Sequence, residues 1–80
     1  MKDAILRAID LALEGRWDEA HEIAQRYESD GTAQWLHAVL HKVEGDLSNS
    51  RYWYRQAGRL ACAEREPRAE LREIRAMLTG

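Results

Sequence analysis

The sequence predicts an all-α fold: two stacked helical hairpins followed by a C-terminal capping helix, five helices in all. Three observations predict it. Apolar residues recur at intervals of three and four along most of the 80 residues, the spacing that gathers them on one face of a helix. Glycines stand where these runs stop, at Gly15, Gly45 and Gly58. Finally, the first two hairpins align with each other at an offset of thirty residues.

The first helix carries Ile5, Leu6, Ile9 and Leu13, with Ala8 and Ala12 beside them. Gly15 ends it, in the place where a glycine takes up the left-handed conformation. The second begins near Trp17, with Asp18 and Glu19 suited to its positive N-terminus, and lines its inner side with Ala20, Ile23, Ala24 and Tyr27. Ser29-Asp30-Gly31-Thr32 is a turn cluster. The third helix runs from about Ala33 to Glu44 with Thr32 as its expected N-cap, and its apolar set is Trp35, Leu36, Val39, Leu40 and Val43. Gly45 ends it and Asp46 caps a fourth helix over Leu47 to Gly58. Arg59 to Glu66 is a connector with no periodicity. Pro67 opens the last helix, because proline is tolerated at a first helical position, and Leu71, Ile74 and Leu78 form its stripe. The hairpins therefore cover residues 3–28 and 33–58, and the capping helix 67–78, in one domain.

At the thirty-residue offset Ile5 meets Trp35, Leu6 meets Leu36, Ile9 meets Val39, Leu13 meets Val43 and Glu14-Gly15 meets Glu44-Gly45. A period in this range marks a helical repeat, whose units must stack to bury their apolar faces. Ala8, Gly15, Trp17, Ala20 and Tyr27, and again Ala38, Gly45-Asp46, Leu47, Ser50, Tyr54 and Ala57, resemble the tetratricopeptide-type hairpin. The repeat is shorter than the usual ~34 residues of that family, and the turn proline expected after Tyr27 is missing. The segment from Trp35 to Asp46, with Asn49-Ser50-Arg51-Tyr52-Trp53-Tyr54-Arg55, also resembles a group of small uncharacterised bacterial proteins. The resemblance implies this fold and a bacterial, cytoplasmic setting.

Composition narrows the function classes. Cys62 is the only cysteine, so the chain forms no internal disulfide; with no apolar leader-like run in Met1 to Gly15, it reads as a cytoplasmic chain. No stretch approaches the ~20 apolar residues of a membrane span. The net charge of −2 gives no bulk attraction to nucleic acid or anionic membrane. Charge is uneven: Met1 to Asp30 holds four basic and eight acidic side chains, Gly31 to Arg59 four and two. Either neighbouring helices complement each other or the dipole orients a partner.

Two constellations are candidates for function. His37 and His41 lie four apart on one helix face, and Glu44 three further along; two imidazoles and a carboxylate are suitable metal ligands. A metal needs more, and His21 and Asp46 are chemically able, although nothing in the sequence places His21 nearby. The other reading seats both histidines between the third and fourth helices, bonded to Asn49, Ser50 or tyrosine hydroxyls. The second constellation is Arg51, Arg55 and Arg59 at four-residue steps beside Tyr52 and Tyr54, able to stack on bases or hold a phosphate and equally to grip a carboxylate on a partner; Trp53 and Tyr54 read as core. The acids Asp10, Glu14, Asp18, Glu19 and Glu22 read as a solvated face. The expectation is a non-enzymatic module that binds a protein or peptide through Arg51, Tyr52 and Arg55, with His37 and His41 as further contacts and no cofactor. The alternatives are a homodimer formed through an open apolar face and a metal-binding protein using His37, His41 and Glu44.

Overall fold

The computed structural model describes residues 1–80 and consists of helices joined by short turns. These are α1 (Lys2–Leu13), α2 (Trp17–Gln25), α3 (Gly31–Val43), α4 (Leu47–Ala57) and α5 (Pro67–Thr79), with a 3₁₀ turn at Leu60–Cys62. No helix is long and apolar enough to cross a membrane.

The hairpin turns show why the thirty-residue offset is meaningful. Gly15 and Gly45 adopt φ of 83° and 82°, a region that side chains with a Cβ disfavour. Around each, the same pair of backbone bonds closes the helix: Gly15 N–H donates to Ala12 and Arg16 N–H to Leu11, as Gly45 N–H donates to Lys42 and Asp46 N–H to His41. This is the Schellman arrangement, which satisfies the last carbonyls of a helix and sends the chain back along it. The helix starts differ from one another. The N-cap of α3 is Asp30, whose side chain accepts from Ala33 N–H at 2.9 Å, so the expected cap at Thr32 is corrected: Gly31 and Thr32 are already helical. A carboxylate suits this end better than a hydroxyl, because it also meets the positive pole of the helix. Asp46 caps α4 and Glu66 caps α5, where Pro67 is the first helical residue.

Helix α3 is the centre of the fold and touches all four other helices. Ala33, Trp35, Leu36, Ala38, Val39 and Leu40 are buried along it, against Ile5, Ala8, Ile9 and Ala12 of α1, Ala20 and Ala24 of α2, and Leu71 and Ile74 of α5. Small residues dominate the α2 contribution, which lets that helix lie close to its neighbours. The sequence pattern puts α5 on the outer end of the second hairpin; its backbone contacts are with α1 and α3, so it covers both hairpins from the side of their first helices. Arg75, which donates to Asp10 at 2.8 Å, and Arg68, which donates to the Leu13 carbonyl at 2.6 Å, join α5 to α1.

One polar hub lies inside the core. Glu70 of α5 is fully buried. Its carboxylate accepts from Trp35 Nε1 at 3.0 Å and from the Tyr54 hydroxyl at 2.8 Å, and pairs with Lys42 Nζ. Lys42 also donates to the carbonyl oxygens of Arg65 and Cys62. The connector Arg59 to Glu66 is thereby fixed by backbone acceptors, and Arg59 lies 4.0 Å over the Trp35 ring. Each polar atom of Glu70 has a partner, as burial of a charge requires.

Candidate functional site

The junction between the hairpins, where α2 lies against α3, collects the three histidines of the chain. His37 and His41 stand one turn apart on α3, and their rings stack at 4.8 Å between centroids. His21 enters from α2 and sets its ring edge-on to both, 4.6 Å from each. One ring nitrogen from each of the three lies within 4.8 Å of the others. His37 is buried, at 3% exposure, and its other face is covered by the Trp53 ring at 4.4 Å. Tyr52 meets Trp53 edge-on at 5.0 Å. The side chains of His21 and His41 are each 14% exposed, so the cluster reaches solvent along one edge.

Glu44 stands at that edge. Its carboxylate lies 3.3 Å from His21 Nδ1 and 3.4 Å from His41 Nδ1, and Asp46 stands 3.8 Å from the latter. A carboxylate accepts only, so it favours the tautomer in which Nδ1 carries the proton. His21 then has its Nε2 lone pair facing inward, where His37 Nε2 lies at 2.8 Å. His37 must donate across that contact, which leaves its Nδ1 as a bare acceptor. That atom is buried with no hydrogen-bond partner, and His41 Nδ1, although near the two carboxylates, makes no aligned bond either. Burial is the main reason that the His37 imidazole is pushed down to about 4, with the neighbouring His21 and His41 adding repulsion. His41 is lowered by burial and by His21, against the opposing pull of Glu44 and Asp46. His37 and His41 are thereby both held towards the neutral imidazole, the form that ligates metals.

The hydrogen-bond partners anticipated for the histidines are engaged elsewhere. Ser50 Oγ donates to the Ala38 carbonyl at 2.8 Å, Asn49 Nδ2 to Asp46 at 2.7 Å, and the Tyr54 hydroxyl to Glu70. The residue that sequence reasoning left unplaced is His21. A signal was present: His21 and His37 are equally distant, eight residues each, from Ser29 in the turn. Two antiparallel helices folded about that turn bring such positions opposite one another. Arg51, Tyr52 and Arg55 are exposed on α4 and none of them contributes a group to the cluster. The offset of thirty places Arg7, Leu11 and Arg51 opposite His37, His41 and His21; the histidines thus belong to the junction and not to the repeat.

No family model, curated protein or solved structure matches this chain.

Proposed function

We propose that this chain is a metal-binding helical domain, and that His21, His37 and His41 ligate one divalent first-row transition ion, with Zn²⁺ as the reference case. The observation that supports the reading is the convergence of three imidazoles from two helices, one ring nitrogen from each within 4.8 Å of the others, with His37 Nδ1 and His41 Nδ1 buried and without a partner. Zn–N bonds of ~2.0–2.1 Å in a tetrahedral site hold ligand nitrogens roughly 3.3–3.4 Å apart. The His21–His37 separation is 2.8 Å and the set spans at most 4.8 Å. Side-chain rotations that move nitrogens by on the order of 1 Å close that difference, and His21 and His41 have the freedom at the solvent edge to make them.

Glu44 takes a different part from the one expected of it. It sits 3.3 Å from His21 Nδ1, where a carboxylate fixes the tautomer and raises the basicity of the other ring nitrogen, the one that binds metal, and it stands on the Nδ1 side of His41 without an aligned bond. The direct set is then three nitrogens with a fourth position open to water. The absence of thiolate from the set favours Zn²⁺, Cu²⁺ or Ni²⁺ over Cu(I). The bound ion joins α2 of the first hairpin to α3 of the second, which gives a short chain without a disulfide a cross-link between its repeats.

The test is untagged protein, stripped with chelator and titrated with Zn²⁺ by calorimetry and thermal melting. Saturation at 100 times Kd adds about 2.7 kcal/mol, or a rise in Tm on the order of 10–20 °C for a chain of this size. One equivalent should bind, and His21→Ala and His41→Ala should each abolish the rise. No heat, no rise in Tm and no metal in the purified protein by elemental analysis would remove the reading.

A further inference from the structure

A second feature lies apart from the histidines, between α4 and the 3₁₀ turn. Arg51, Arg55, Leu60, Ala61, Ala63 and Glu64 line an open groove of about 510 Å³, within the range of volumes that hold ligands. Its two arginines stand one helical turn apart, both exposed, and neither has a carboxylate within 4 Å. Arg16, Arg65 and Arg75 are each matched by a carboxylate, Glu19 at 2.8 Å, Glu73 at 3.0 Å and Asp10 at 2.8 Å, so Arg51 and Arg55 differ from these three in leaving their guanidiniums free beside a groove. Leu60, in the floor of the same groove, is 47% exposed, and Tyr52, on α4 beside Arg51, is 49% exposed. Two unmatched guanidiniums beside an uncovered leucine and tyrosine form a surface of the composition enriched at protein interfaces.

We propose that this groove binds an acidic amphipathic helix of another protein, one that presents two carboxylates a turn apart next to a leucine-type side chain. The spacing of Arg51 and Arg55 sets the first requirement, because carboxylates at i and i+4 of a partner helix repeat at the same interval as arginines at i and i+4 here. The apolar floor of Leu60, Ala61 and Ala63 sets the second, as in other helix-in-groove contacts. Glu64 sets a third. It stands in the same lining and repels a further acid, so the partner helix is neutral or basic along that edge and docks in one direction. A polyanion such as RNA meets that repulsion in the groove, where the lining holds two cations, Arg51 and Arg55.

The test uses the ¹⁵N-labelled full chain, kept in chelator so that metal binding at the histidines has no bearing on the outcome. The probe is a helical peptide of about four turns with two glutamates four apart flanking a leucine, compared with the same peptide carrying glutamines. Amide shifts should be confined to Arg51 through Glu64. The glutamine peptide and the Arg51→Ala/Arg55→Ala double variant should each bind at least about tenfold more weakly, the loss expected for removing charge-assisted hydrogen bonds, and the affinity for the acidic peptide should fall with added salt. Leu60→Ser should weaken binding several-fold with the helical circular dichroism unchanged. The proposal is overturned by an absence of shifts at millimolar peptide, by shifts centred elsewhere, or by equal binding of the glutamine peptide. It is equally overturned if a single-stranded oligonucleotide binds the groove more tightly than the acidic peptide, or if the groove residues prove to mediate dimerisation of the chain itself.

Discussion

Replacing Glu70 tests whether the buried hub organises the fold. Three donors from two helices meet its carboxylate: Trp35 and Lys42 of α3 and Tyr54 of α4. Glu70→Leu leaves a lysine that is only 12% exposed without its counter-charge, and leaves an indole N–H and a phenol without acceptors. Breaking a buried pair by removing one partner costs about 3–5 kcal/mol. Summing hydrogen bonds separately would overstate the loss, because the three share one acceptor group and couple. A domain of this length has roughly 4–12 kcal/mol of total stability, so the variant should lose about a quarter of it or more. Glu70→Gln keeps an acceptor oxygen but no charge, and should cost about 2–3 kcal/mol. At 4–8 °C per kcal/mol for a domain of this size, the expected falls in Tm are at least about 12 °C for leucine and about 8 °C for glutamine. Urea unfolding of both variants, of Lys42→Met and of the Lys42→Met/Glu70→Leu pair completes the cycle. Because the double variant leaves no orphaned charge, it should be more stable than Glu70→Leu alone. If Glu70→Gln unfolds within ~0.5 kcal/mol of the parent, the scale of a neutral surface change, or if the double variant is simply the sum of the singles, the carboxylate is not the charged centre of this core.

Other outcomes follow from the same structure. Gly45→Val should destabilise by more than ~1 kcal/mol through backbone strain alone, since a Cβ there meets no atom within 4 Å while φ stays at 82°; an unchanged melting temperature would place the end of α3 elsewhere. Asp30→Ala should cost ~1 kcal/mol and Thr32→Ala less than ~0.5 kcal/mol, an order that reverses if Thr32 is the cap. In chelator, stability should fall as pH drops from the ordinary histidine value of 6.5 towards about 4, because the unfolded chain takes up a proton that folded His37 refuses. The loss is on the order of 3 kcal/mol, and an acid limb unchanged by His37→Phe would refute that source. At the alkaline end, Tyr54 is raised above its ordinary 10.0 by burial and by its bond to Glu70, so stability should decline as pH rises past about 10, and Tyr54→Phe should flatten that limb.

The helices themselves were legible because their determinants are local. A three-four spacing of apolar residues, a glycine at the left-handed position and a proline at a first turn act within a few residues, so α1, α3 and α4 and the turn at Gly45 follow from reading along the chain. Tyr54 is core and Tyr52 exposed as the pattern of α4 requires. Helix α3 starts two residues before the Ala33 that the pattern suggests, because Asp30 and Thr32 are both good caps and only the observed bond to Ala33 distinguishes them. What the local pattern hid was charge placed inside the core. Glu70 occupies a position that periodicity marks as inward, yet a glutamate is read as surface unless its partners are known, and those partners come from α3 and α4.

The histidine cluster divides the same way. That His37 and His41 share a face with Glu44 is a property of one helix, fixed by its 3.6-residue turn. That His21 completes the set, and that Glu44 stands behind the nitrogens, depends on how closely α2 approaches α3, which Ala20, Ala24, Ala33 and Ala38 permit by their small size. The sequence by itself determined the five helices, their order and the faces they bury, because each rests on interactions spanning a few residues. The three-imidazole site, the Glu70 hub and the open groove beside Arg51 and Arg55 were decided only by the tertiary structure, because each is made of side chains from elements that meet through packing and carry no mark of one another along the chain.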